Sequence, residues 1–82
     1  MALETLDTRG LLCPLPVIRT QDAIRDLSAG TLLEVTASDA GTLEDIPAWC
    51  RVHGHELVST EEFEEDAQRG RIYRFMIRVV AD

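Results

Sequence analysis

The chain has 82 residues, a formal net charge of −7, eight arginines, no lysine and 45% hydrophobic residues. That length makes one domain, 1–82, whose single core must be well packed to suffice, and the hydrophobic content argues against disorder. The acidic balance disfavours autonomous binding to phosphate backbones or anionic membranes, the absent lysine removes Schiff-base chemistry and a P-loop, and no apolar run approaches the ~20 residues that span a bilayer.

No charged segment followed by an apolar one opens the chain, so no secretory signal is expected. Two cysteines are too few for a disulfide framework, which points to a reducing, cytoplasmic compartment. In chain order, Leu3 to Thr8 is a short strand whose facing is ambiguous, because Leu3 and Leu6 have opposite parity. Arg9-Gly10 turns the chain. A first helix runs from about Pro14 to Leu27, with Val17, Thr20, Ile24 and Leu27 as its buried stripe and Ala23 beside it. Arg19, Asp22, Arg25 and Asp26 form its wet face, and Gly30 is its left-handed stop.

Thr31 to Ser38 reads as a strand with Leu33, Val35 and Ala37 on the core side. A second helix follows. Thr42 with Asp45 resembles a capping box, but Pro47 then lies too deep, so a loose first turn that re-forms with Asp45 as cap reconciles the two. Ile46, Trp49, Cys50 and His53 make its inward stripe, and Gly54 stops it. His55 to Thr60 starts a third strand, Glu61 to Asp66 is an acidic hairpin around Phe63, and Arg69-Gly70 turns the chain. Arg71 to Val80 is the clearest strand: Tyr73, Phe75, Ile77 and Val79 face one way, Arg74, Met76 and Arg78 the other. The order β-α-β-α-β-β gives an α/β fold, a two-layer α/β sandwich with both helices on one face of a four-stranded sheet.

The chemistry concentrates in Gly10-Leu11-Leu12-Cys13-Pro14-Leu15-Pro16. Proline is tolerated in a helix's first turn, so Pro14 sits at or near the first helical position and Cys13 falls at the N-cap. Pro14 and Pro16 offer no donors, which leaves the Leu15 and Val17 amides and the helix dipole to favour an anion on sulfur. Arg9 and Arg19 act the same way if their side chains turn toward it. The expectation is an exposed thiolate with a lowered pKa; the alternative is a small buried hydrophobe ahead of a helix.

Three blocks of residues resemble the TusA (SirA-like) sulfur-carrier family. They are Leu6-Asp7-x-x-Gly10-Leu11-x-Cys13-Pro14-x-Pro16-Val17; Asp39 through Asp45-Ile46-Pro47-x-Trp49-Cys50 to Gly54-His55-Glu56-Leu57; and Tyr73-x-Phe75-x-Ile77-Arg78. The resemblance implies a mixed sheet of strand order 1-2-4-3, with the last strand antiparallel to the rest. It implies that Cys13 carries sulfane sulfur as a persulfide, without a cofactor. The sulfur would come from a rhodanese or cysteine desulfurase and go to a relay protein of the DsrE or TusBCD type. The downstream use would be tRNA thiolation, molybdenum-cofactor supply or dissimilatory sulfur oxidation. This chain departs from the family pattern in Arg19-Thr20-Gln21, Ala40 and Trp49.

Around Cys13, the supporting residues are Gly10, Pro14, Leu15, Pro16, Arg9, Arg19 and Asp45, the last either a helix cap or a group that orients a partner or the Cys13 loop. Cys50 is a buried core cysteine or, alternatively, a resolving thiol that makes the protein a thiol oxidoreductase. Cys50, His53 and His55 give three metal ligands at best, and no metal is expected. Arg74 and Arg78 on the open face are either solvated or a docking surface for an acidic partner. A non-catalytic, RNA-associated binding module is the remaining alternative, since the expected fold resembles an RNA-binding translation-factor domain; the acidic charge opposes it. The surface suggests a monomer with transient protein partners.

Overall fold

A computed structural model describes residues 3–66 and 70–80, with the side chains of residues 65 and 66 left aside. Its elements are β1 (Leu3–Thr8), α1 (Leu15–Ile24), β2 (Leu32–Ala37), α2 (Thr42–His53), β3 (Glu56–Asp66) and β4 (Gly70–Arg78). The sheet order is β1-β2-β4-β3. β1 runs parallel to β2, while β4 is antiparallel to both β2 and β3. This is the α/β sandwich expected from the element order, with the mixed sheet and strand order that the family resemblance implies.

Period-two burial makes β2 and β4 the centre of the sheet. Leu33, Val35 and Ala37 of β2 oppose Ile77, Phe75 and Tyr73 of β4. Each is at most 6% exposed, and together with Ile24, Ile46, Cys50 and Val79 they form the core under the helices. Branched and aromatic side chains fit such a pleated, half-buried surface. The parallel register resolves the facing of β1: Leu6 lies beside Val35 on the core side, and Leu3 lies beside Leu32 on the open side.

The helices differ from expectation at their ends. α1 stops at Ile24, and Leu27 is packed on the core from a following turn in which Asp26 and Leu27 N–H bond the Ala23 and Ile24 carbonyls. Gly30, at φ 91°, lies six residues beyond and donates to the Val79 carbonyl, so it steers entry into β2 rather than ending α1. α2 begins at Thr42 with Gly41 as N-cap and contains Pro47 in its interior. The expected restart at Asp45 does not occur. Thr42 and Gly41 are held by Asp39 through its carbonyl and carboxylate, so the first turn forms despite the hydrogen bond that Pro47 cannot make. Ile46 and Cys50 face inward and Trp49 is half-buried, but His53 is exposed. Gly54 closes α2 at φ 78°, a left-handed cap that costs glycine no Cβ clash.

Glu61 to Glu64 extend β3 rather than forming the hairpin turn; of the expected turn, residue 69 lies outside the described residues. The register slips at Val58, which bulges outward between Leu57 and Ser59. On the open face, Arg74 pairs with Glu34 at 3.3 Å and Glu61 at 2.8 Å, and Arg78 pairs with Glu56 at 2.9 Å. Arg74 also lies over the Phe63 ring, 5.5 Å from its centroid. Both arginines are therefore taken by this chain's own carboxylates.

Ile46 is fully buried and Val52 is 79% exposed on the same helix. Chemical denaturation of Ile46→Ala is expected to show a loss of about 2–5 kcal/mol, whereas Val52→Ala stays close to the parent.

Candidate functional site

The residues of the candidate site come from three places in the chain. Gly10, at φ 85°, turns the chain out of β1, and its N–H is taken by Ser38 Oγ at 2.8 Å. The turn is tightened by Leu11 N–H to the Thr8 carbonyl and Leu15 N–H to the Leu12 carbonyl. Cys13 N–H donates to Asp39 Oδ2 at 2.6 Å, and the other oxygen of that carboxylate accepts the Gly41 N–H at 3.0 Å. Cys13 Sγ donates to Asp45 Oδ2, on the first turns of α2. The tip carrying Cys13 is thus pinned to the loop after β2 and to α2.

Cys13 is exposed and stands one residue before the helix cap, which is Pro14. The N-cap placement expected from the prolines is off by one, and its electrostatic consequence reverses. The Leu15 amide, counted on as a donor to the sulfur, is used by Leu12. Arg9 turns its guanidinium to Asp7, at 2.9 Å, and holds that carboxyl down at about 2. Arg19 is exposed and makes no ion pair among the described residues. The hydrogen bond to Asp45 holds the Cys13 thiol above its ordinary pKa, helped by desolvation and by the charges of Asp45 and Asp39. A neighbouring carboxylate favours the protonated form of an acid, so the resting group is a thiol rather than the expected thiolate.

The flanking prolines divide the work. Pro14 and Leu15 are exposed at the tip, whereas Pro16 is fully buried and anchors α1. Leu12 (72% exposed), Leu15 (42%) and Ile18 (45%) leave an exposed apolar rim in the chain beside Cys13. The sequence reading missed this rim and also the role of Asp39. Its signal was present, because an Asp two residues before a Gly at a helix start is a common way to capture a loop amide.

Cys50 stands apart from this site. It is 2% exposed in the core and unbridged, and burial pushes its thiol up to about 11. His53 and His55 flank the Trp49 ring, with centroids 4.9 and 5.3 Å away, and His55 Nδ1 accepts the Val80 N–H. Among the described residues no three His, Cys, Asp or Glu side chains are grouped to hold a metal ion.

The sequence model of the family described as Sulfurtransferase TusA matches residues 4–79. The chain belongs to that family. It is 52% identical over 77 residues to the sulfur carrier protein TusA of Pseudomonas syringae pv. syringae (strain B728a), covering 94% of this chain and 84% of that protein. It is 40% identical to YrkF of Bacillus subtilis (strain 168), of whose length the match covers only 38%. The crystal structure of a SirA-like protein from Desulfitobacterium hafniense superposes with a TM-score of 0.67 at 27% identity, over 90% of this chain and 95% of the other. Among the described residues no helix is long and apolar enough to cross a membrane.

The two thiols are expected to separate by accessibility: iodoacetamide labels the exposed Cys13 faster than the buried Cys50 in the native protein, read by peptide mass mapping. Cys50 also gives a pH signature. Its folded-state pKa of about 11 lies above the ordinary 9.0, so it stabilises the fold fully below 9.0 and loses that contribution as pH rises through about 11. Cys50→Ala should flatten that alkaline loss in stability measured by denaturation between those pH values.

Proposed function

We propose that this chain is a sulfur carrier that accepts sulfane sulfur on Cys13 as a persulfide and hands it to a protein acceptor. The observation that carries the reading is a free, exposed cysteine held on a pinned, proline-stiffened tip within an apolar rim, in a member of a sulfurtransferase family. Gly10, Pro14, Leu15 and Pro16 shape that tip, and Asp45 sits against its sulfur. A rim of Leu12, Leu15 and Ile18 suits a protein surface better than a small polar metabolite.

Loading consists of one sulfur transfer. Cys13 sulfur bonds to the outer sulfur of a donor persulfide, the donor's own S–S bond breaks, and the donor leaves as a thiol carrying the Cys13 proton. Delivery repeats the step with Cys13 as the leaving group. Neither step consumes an oxidant or a cofactor. A donor of the rhodanese or cysteine desulfurase type and an acceptor of the DsrE or TusBCD type fit this chemistry, feeding tRNA thiolation or dissimilatory sulfur oxidation in the cytoplasm. The chain would act as a single-domain monomer with transient partners. A disulfide mechanism with Cys50 is disfavoured by that thiol's burial and raised pKa. The excess of acidic residues disfavours a nucleic-acid partner.

Incubating the protein with a rhodanese and thiosulfate should add one sulfur atom to its intact mass, and Cys13→Ser should abolish the gain. A Cys13→Ser protein that still gains the sulfur overturns the assignment.

A further inference from the structure

The contact between the exposed Cys13 thiol and the half-buried Asp45 joins the tip to α2, and the fold does not need it. β1 and α1 are already joined by Leu11 and Leu15 amide bonds, and the tip is pinned by Asp39. Asp45 accepts from the sulfur on the α2 side, and Asp39, which accepts the Cys13 N–H from the loop after β2, adds its charge nearby. Of the nearby cations, Arg9 turns to Asp7 and Arg19 is exposed on α1. The empty thiol therefore lies among carboxylates and donates its proton to one of them.

That arrangement suits one chemical state of Cys13 and opposes the other. A thiol has a proton to give Asp45. A hydropersulfide is a stronger acid than its parent thiol, so at neutral pH a loaded Cys13 ends in an S–S⁻ anion with no proton for the bond. Two like charges in contact repel, and each disfavours the other's ionised form. Space works in the same direction. A second sulfur sits ~2.05 Å from the first, and the direction from Sγ toward Asp45 is already filled by the carboxylate.

We propose that Asp45 is a load-sensing positioning residue, which seats the empty Cys13 thiol against α2 and releases the side chain outward once it carries sulfur. The inference rests on the persulfide reading. In the balanced step, Cys13–SH and a donor R–S–S⁻ give Cys13–S–S⁻ and R–SH. The proton that formed the bond to Asp45 leaves on the donor's sulfur, and no net oxidation occurs. A donor thus meets an exposed thiol held against α2 and an acceptor meets an extended persulfide, so one short motif presents two shapes to two partners.

Two measurements test this. In Asp45→Asn, which keeps the shape and removes the charge, iodoacetamide should alkylate Cys13 several-fold faster at neutral pH, with its pH profile moved to lower pH. An unchanged profile in a variant with the parent's thermal midpoint overturns the proposal. In the wild-type chain, free of any folding risk, sulfur loading should shift the Asp45 carboxyl carbon resonance and the Gly41 and Cys13 amide resonances. Loaded protein, one sulfur heavier by mass, with these signals unmoved also overturns it. If no sulfur loads at all, the persulfide reading fails and takes the load sensing with it, a result that the alkylation profile identifies as distinct by still reporting whether Asp45 holds the thiol.

Discussion

One carboxylate holds the candidate site together. Asp39 accepts the Cys13 N–H with one oxygen and the Gly41 N–H with the other, so it joins the cysteine tip to the start of α2. Charge-assisted bonds of this kind are short and strong, and both lower the Asp39 pKa. Asp39 leaves the end of β2, which lies in the middle of the sheet and buries Leu33, Val35 and Ala37. The tip therefore takes its rigidity from the best-packed strand, although its own residues are exposed. Without that clamp, Asp45 would have no fixed sulfur to meet.

The electrostatics of the tip follow from distance and charge. A helix N-terminus supplies a partial positive charge of about half a unit, and it falls off within the first turn. Here the first free amide is used by Leu12, and Cys13 stands outside the cap. Against this weak attraction stand the full negative charges of Asp45 and Asp39. The carboxylates win, and the resting sulfur keeps its proton. The thiolate is the reactive form, so an exposed cysteine in this setting is guarded from indiscriminate chemistry until its surroundings change.

The opposite face of the sheet is organised to do little. Arg74 is shared between Glu34 and Glu61, and Arg78 is taken by Glu56. Exposed pairs of this kind contribute little stability. Their effect is to neutralise the arginines of an acidic chain locally. Leu12, Leu15 and Ile18, by contrast, stay exposed in the chain beside Cys13.

Most of the fold was legible because burial repeats along it. β2 and β4 alternate with period two, α1 shows Thr20 and Ile24 on its inner face, and Gly54 stops α2 in a left-handed conformation that glycine reaches without a Cβ clash. Pro47 misled the reading of α2, since local rules place a proline in the first turn, while Asp39 begins the helix earlier and the buried Ile46 and Cys50 hold it in place. His53 misled it the other way, its helical spacing suggesting a core position that the end of α2 does not reach. By itself the sequence determined that a lone cysteine stands before a proline-started helix in an α/β sandwich. What that sulfur touches was decided only by the tertiary structure. Asp39 and Asp45 lie 26 and 32 residues further along the chain, and no local pattern states that the loop after a strand and a helix will bring one carboxylate to the Cys13 N–H and another to its thiol.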